Sequence, residues 1–344
     1  MTEHAGWNPL ARVRDTCAAV DTTEAWVDTE AVKVFVATAD CNAIVGAGEA
    51  LASSGLTSFA GLIEFETVTD EVGFIAVTHA LDFGSGFRSA LHKFHGLGAW
   101  NTVKPGMVRL FAACPELSAK ELSALGEDQL ADIFLPGLAD SSAAARASLA
   151  PFVKLLHRCT QDLARGLVER QFESMKDFVF ATLARAPQAE PAAALVRELV
   201  VAFPVVFNDA HRYNGQDVFL YKKAQLVTGE LFHRFRSEDE RFNFADGNRL
   251  TCFCDNVIVA TMRKTGCIRT TAELAKQIEC GKDIPSGSAA EVALRAKSLT
   301  AVEQIASACQ LAPCTVGNFL WAVLGKQPEF RAFPRHATPD TCFY

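Results

Sequence analysis

Apolar positions recur at helical spacing over most of the chain from Ser118 onward. After Ser141, which can cap a helix, they fall at Leu149, Phe152, Val153 and Leu156 and, after a turn, at Leu163, so one face of a long helix is buried. The same spacing predicts helices over 171–183, 191–203, 220–235, 255–264, 291–309 and 315–326. Ser118 with Glu121, Thr270 with Glu273 and Ser288 with Glu291 each place a hydroxyl three residues ahead of a Glu, the capping-box pattern of a helix start. The first third of the chain differs. Phe74-Ile75-Ala76-Val77 reads as a short β run, followed by the glycine loop Gly84-Ser85-Gly86 ahead of a helix. Val218-Phe219-Leu220 reads as a second strand entered through an Asn214-Gly215 turn. The pattern therefore predicts a mainly α fold with minor β content. One domain over 1–344 is expected, divisible at most into an N-terminal lobe (1–115) and a helical lobe (116–344).

Composition narrows the function. A chain of 344 residues that is 49% hydrophobic can bury a large core, which excludes disorder. The net charge of −7 argues against the broad basic face that grips DNA or long RNA, but a single nucleotide needs only one or two local cations. The beginning of the sequence has no basic stretch leading into an apolar run, and no segment reaches the roughly 18 apolar residues that span a bilayer. A cytoplasmic monomer with no membrane partner is expected. The eleven cysteines are odd in number and irregularly spaced, so they read as reduced and mostly buried thiols.

Several familiar chemistries are absent from the sequence. Neither Gly46-Ala47-Gly48 nor Gly84-Ser85-Gly86 completes a dinucleotide fingerprint, and no Gly-Lys-Ser/Thr follows either. These loops read as turns, although Asp82 and Phe83 beside the second are placed to line a cleft. His92 and His95 have helical ligand spacing but no carboxylate nearby to complete a set, so neither a metal nor another cofactor is expected. No Gly-x-Ser-x-Gly elbow occurs.

The segment Phe253-Cys254-Asp255-Asn256-Val257 carries the most chemistry. Asp255 stands where an irregular stretch turns into the helix running to Lys264. There, free backbone N–H groups and the positive end of the helix dipole keep a carboxylate ionised. With Phe253, Cys252 and Cys254 making an apolar wall, such a carboxylate can stabilise a developing cation or activate a water. The plain alternative is that it only caps the helix. Tyr221-Lys222-Lys223-Ala224-Gln225 is the second pointed segment: two lysines open an otherwise apolar helix. Lys223 reads as solvated. Lys222 reads as inward-facing, where a phosphate or carboxylate would be its natural partner.

These segments resemble a known family. Phe219-Leu220-Tyr221-Lys222-Lys223-Ala224-Gln225-Leu226, Phe253-Cys254-Asp255, Glu291-Val292 with Arg295 and Ser298-Leu299, and the ending with His336 and Cys342-Phe343-Tyr344 are similar to the queuosine salvage proteins. Those are queuosine 5′-phosphate N-glycosylases, which release the modified tRNA base queuine from its nucleotide. The resemblance is firm over 197–305, weaker across Trp26-Val27-Asp28 and 77–83, and thin between 95 and 190. It implies a helical glycosylase-like body with no cofactor, and a small-molecule nucleotide substrate. It further implies Asp255 as the catalytic carboxylate, and Lys222 as the group that holds the 5′-phosphate or sets the charge of Asp255. Phe253 and Phe83 would stack on the base and Asp82 would hydrogen-bond the base or ribose, with Asn256 and Tyr221 adjoining the substrate. One departure stands out. The family's Asp-Tyr-Tyr-Leu-Trp-Asp helix, whose acids help read the base, is Gly317-Asn318-Phe319-Leu320-Trp321-Ala322 here. The identity of the base is left open. So are a DNA-repair glycosylase and a non-enzymatic nucleotide-binding protein as rival readings.

Overall fold

The computed structural model describes residues 7–54 and 59–344, with the side chains of 48–54 excepted. In chain order the first helices are α1 (Pro9–Ala19), α2 (Thr29–Thr38), α3 (Cys41–Ser54), α4 (Val68–Leu81), α5 (Arg88–His95) and α6 (Ala99–Ala113). Two short helices follow, α7 (Ala119–Ala124) and α8 (Glu127–Phe134), then α9 (Ala143–Glu169), α10 (Met175–Arg185), α11 (Pro191–Ala202) and α12 (Pro204–Phe207). The remainder comprises α13 (Lys222–Phe235), α14 (Asn256–Lys264), α15 (Ala272–Glu279), α16 (Ala289–Cys309), α17 (Pro313–Ala322) and α18 (Pro328–Arg331). Strands β1 (Ala25–Val27), β2 (Ala210–Tyr213), β3 (Gln216–Phe219) and β4 (Ile268–Thr270) form two antiparallel pairs, β1 with β4 and β2 with β3. The mainly α fold with minor β content is as the apolar pattern predicts.

Local chemistry explains most helix ends. Ser118 and Glu121 make the reciprocal capping box: the Glu121 N–H donates to the Ser118 hydroxyl and the Ser118 N–H to the Glu121 carboxylate. Ser288 caps α16 in the predicted place. Two caps shift by one residue, to Thr271 for α15 and Ser142 for α9, and α9 runs unbroken through Pro151 and past Leu163. The Asn214-Gly215 turn is present, with φ of 48° and 82°, the left-handed conformation that a two-residue hairpin needs.

One predicted strand is corrected. Phe74-Ile75-Ala76-Val77 lies within α4, where every residue from Val72 to Leu81 is buried. A helix surrounded on all sides has no polar stripe, so its apolar run cannot be told from a buried strand by period alone.

Helix α4 packs against α13 and α10, and α13 also packs against α11. Helix α16 packs against α1, α2, α14 and α17. A continuous hydrophobic core runs from Leu10 to Cys342. The last stretch of chain, 332–344, has no regular helix or strand, yet His336, Thr338 and Tyr344 within it are buried. It threads past Gly86, where a Cβ would come within 2.3 Å of the Thr338 carbonyl oxygen, so only glycine admits this crossing. Among the described residues no single helix is long and apolar enough to cross a membrane.

Candidate active site

A cavity of about 480 Å³ opens where the C-terminal end of α4, the first turns of α13 and α14, and α17 converge. Asp82 and Phe83 reach it from the end of α4, Lys222 from the start of α13, and Phe253, Asp255 and Asn256 from the approach to α14. Trp321 and Tyr344 add to its lining. Six of the seven residues singled out from sequence thus line one cavity.

Asp255 is both cap and wall. Its Oδ1 accepts from the backbone N–H groups of Val257 (2.8 Å) and Ile258 (3.0 Å), which locks the side chain at the start of α14. Its Oδ2 accepts from the indole N–H of Trp321 at 3.1 Å. The side chain is therefore oriented by three donors while the residue, 9% exposed, still meets the cavity. Phe253 lies against Gly229 of α13, where a Cβ would come within 2.6 Å of the ring, so a glycine there makes room for the aromatic wall. Asn256 donates from its amide to the His336 carbonyl at 3.1 Å, tying the start of α14 to the terminal stretch.

On the other wall, the Lys222 ammonium stands 3.9 Å from Asp82 Oδ2, and His79 Nδ1 stands 4.0 Å from the same oxygen. Burial pushes the Asp82 carboxyl up, but Lys222 foremost, with His79 and Lys223, holds it below the usual carboxylate range. Lys222 therefore already has an anionic partner within the protein.

Two expectations for this segment need correction. Lys223 is not solvated: it is 1% exposed, and its ammonium donates to the carbonyls of Ala80 and, at 2.9 Å, Cys342. It holds the end of α4 to the terminal stretch. Tyr221 does not line the cavity. Its backbone turns left-handed at φ 48°, and its ring stacks on Phe219 with centroids 5.5 Å apart and faces Trp7 at 6.0 Å. Both outcomes follow from the same helix start, which aims Lys223 into the core and Tyr221 toward α1.

Sequence reasoning also missed the cations. Arg88, Lys326, Arg331 and Arg335 line the cavity with Lys222, so Lys222 is not its single cation. Burial pulls the Arg335 guanidinium down and neighbouring Arg88 adds to this, while its Nε has no hydrogen-bond partner. Lys326, Arg331 and Arg335 fall within ten residues of sequence, a signal that a search for charge clusters would have found.

Beneath the cavity lies a buried ion network. Arg295 donates to both carboxylate oxygens of Asp209 (3.0 and 2.5 Å), to Glu291 at 3.0 Å, and through Nε to the Cys254 carbonyl at 3.3 Å. Asp209 in turn accepts from the backbone N–H of Lys222 at 3.4 Å, and the Tyr344 hydroxyl donates to Glu291 at 3.1 Å. Burial alone would raise the Asp209 carboxyl, but Arg295 holds it far below the ordinary range. The network joins the residue before Asp255 to the start of α13 and to Tyr344, so it fixes both walls of the cavity at once. Its pairing is close and mutual, as buried charges require.

A family model for queuosine salvage proteins matches residues 97–344. The chain belongs to the queuosine salvage family. It is 28% identical over 196 residues to a queuosine 5′-phosphate N-glycosylase/hydrolase of Dictyostelium discoideum, covering 54% of this chain and 57% of that protein. It is also 28% identical over 191 residues to the protein of the same name from Sphaerobacter thermophilus, and 26% identical over 130 residues to that of Schizosaccharomyces pombe. The matched stretch with the Sphaerobacter protein covers 56% of this chain and 54% of the relative; with the yeast protein it covers 37% of each. The chain thus spans about half the length of the first two relatives.

Within this queuosine salvage protein, the two positions that lack the expected acids sit differently. Gly317 lines the cavity, and a Cβ there would meet Cys252 Sγ at 2.8 Å, so a side chain at 317 requires Cys252 to move. Ala322 lies off the cavity. Asn318, buried and neutral, lines the wall instead. Among the described residues no group of three or more His, Cys, Asp or Glu side chains is placed to hold a metal ion.

Proposed function

We propose that this chain hydrolyses the N-glycosidic bond of queuosine 5′-phosphate, releasing queuine and ribose 5-phosphate, as a cytoplasmic monomer acting on the free mononucleotide. The observation that carries this reading is a carboxylate, Asp255, held by three donors in a cavity that joins an aromatic wall to a cationic one. Cleavage of a nucleoside C–N bond builds positive charge on the sugar. A fixed carboxylate near the anomeric carbon stabilises that charge, and the same group can take a proton from the attacking water or attack directly. Fixing it beforehand means that little reorganisation is needed as the charge develops.

The other roles follow from position. Phe253 supplies a flat face for the base, and Phe83 is a second aromatic ring in the same lining. Lys222 is paired with Asp82, so this couple is better suited to hold the sugar hydroxyls or base edge than to seat a dianion. Arg88, Arg331 and Arg335 supply charge-assisted donors for the 5′-phosphate. A cavity of about 480 Å³ suits a mononucleotide, and the chain's net charge of −7 weighs against a duplex partner. The membership of the family and the names of its relatives support the same substrate class.

The test is to incubate the protein with queuosine 5′-monophosphate, with intact queuosine-containing tRNA, and with the unphosphorylated nucleoside, and to follow released base by mass spectrometry. Release from the monophosphate alone, or at a far higher rate, is expected. No release from the monophosphate, or equal release from intact tRNA, overturns the reading.

A further inference from the structure

The thiols of Cys41 and Cys309 lie 3.3 Å apart, although 268 positions separate them in sequence. Both are partly exposed, whereas Cys17, Cys114, Cys159, Cys252, Cys254, Cys267, Cys314 and Cys342 are buried. The remaining cysteine, Cys280, is exposed. The chain therefore presents a solvent-accessible pair of thiols in mutual contact.

The placement of this pair is mechanical. Cys41 opens α3, whose start is held by the Asp40 side chain accepting from the N–H groups of Asn42 (2.9 Å) and Ala43 (3.2 Å). Cys309 closes α16. Directly after it Gln310 turns left-handed at φ 57°, the Leu311 N–H bonds back to the Ala306 carbonyl at 2.9 Å, and the chain bends by 112° into the following helical segment. That segment begins with α17, which packs against α3 and carries Trp321 to Asp255. A bond between the two sulfurs would close α3 onto the elbow that aims Trp321.

We propose that Cys41 and Cys309 form a reversible thiol–disulfide pair, a modification site that clips α3 to the α16–α17 elbow. Formation needs an oxidant from outside, a peroxide or a low-molecular-weight disulfide. With a peroxide, the Cys41 sulfur attacks one oxygen and becomes a sulfenic acid, releasing one water. The Cys309 sulfur then attacks that sulfur, the S–S bond forms, and the second oxygen leaves as water; both thiol protons end in the waters. With a low-molecular-weight disulfide, two successive exchanges release two reduced thiols. Cys280 has no thiol partner within reach among the described residues and would stop at a mixed disulfide or an oxidised thiol.

The experiment treats the full chain with hydrogen peroxide and, separately, with oxidised glutathione. It reads non-reducing peptide maps, thermal melting and hydrogen exchange, each before and after a dithiol reductant. The expected result is a Cys41–Cys309 cross-linked peptide, a melting temperature raised by several degrees, and slowed exchange over 306–322, all reversed by the dithiol. Cys309→Ser should lose all three responses while keeping the turnover of the reduced wild-type protein. Absence of the cross-linked peptide under both oxidants overturns the proposal, as does a melting shift that persists in Cys309→Ser. So does a cross-link that leaves exchange over 306–322 unchanged. Because the wild-type peptide map needs no variant, misfolding of Cys309→Ser would leave the test intact.

Discussion

Asp255→Asn separates the cap from the chemistry. The amide oxygen can still accept from the N–H groups of Val257 and Ile258, now at 2.8 and 3.0 Å, so the start of α14 survives. With that orientation the new NH2 replaces Oδ2 and faces the indole N–H of Trp321, which now lies 3.1 Å away, donor against donor. One hydrogen bond is lost, about 1–2 kcal/mol, and a protein of this size should melt only a few degrees lower. The flipped amide would lose two bonds in place of one, so it does not relieve the conflict. Turnover should respond on another scale. The substitution removes the negative charge facing the sugar and the group that accepts a proton from water. Loss of the base alone typically costs about a hundredfold, or ~2.7 kcal/mol of transition-state stabilisation, and loss of charge stabilisation adds to this. The assay compares melting temperature, base affinity by calorimetry and single-turnover release of base for the wild-type protein and Asp255→Asn. Trp321→Phe in the Asp255→Asn background should restore part of the lost stability and none of the lost rate. A folded Asp255→Asn protein that turns over within a few-fold of wild type would reduce Asp255 to a helix cap and refute the catalytic reasoning.

Further outcomes are expected elsewhere in the site. Trp321→Phe alone removes one donor to Asp255 and should lower kcat about tenfold with KM nearly unchanged, because the lost bond orients the carboxylate and leaves the phosphate seat intact. Arg335→Ala or Arg331→Ala should raise KM for the monophosphate roughly ten- to hundredfold and leave the weak reaction of the unphosphorylated nucleoside unchanged, a contrast read by steady-state kinetics. Lys223→Met should destabilise the fold by about 2 kcal/mol or more in urea titration, since it leaves the carbonyls of Ala80 and Cys342 without a shared donor. Burial lowers His336 from 6.5 to about 3, so the folded state binds fewer protons than the unfolded one in this window. Its contribution to stability is complete above pH 6.5 and is lost as pH falls toward 3; urea midpoints measured across that range should decline with pH, and His336→Gln should flatten the decline.

The sequence by itself determined what depends on near neighbours along the chain. Helix spans followed from the 3.6-residue apolar period, and the capping box at Ser118 and the turn at Asn214-Gly215 were visible in the residue types. Asp255 as a carboxylate at a helix start beside Phe253 was legible for the same reason, because a cap is formed within three residues. So was the pairing of Lys222 with an anion, though not which anion. What depends on distant contacts was not legible. Phe74-Ile75-Ala76-Val77 lost its periodic signature because α4 is enclosed on every side. From the sequence Lys223 reads as solvated and Tyr221 as adjoining the substrate. Only the arrival of Cys342 and Ala80 on one side, and of Trp7 on the other, decided that the lysine turns inward and that the tyrosine leaves the site. The pairing of β1 with β4 joins Ala25 to Thr270, and Asp209 meets Arg295 across 86 positions; neither leaves a trace in local pattern. The cationic wall was assembled in the same way, from Arg88 in the first third of the chain and Arg331 and Arg335 in its last stretch. Local backbone and side-chain preferences act over a few residues. The charge balance of a cavity depends on which distant segments the core brings together, and that is settled only when the chain has packed.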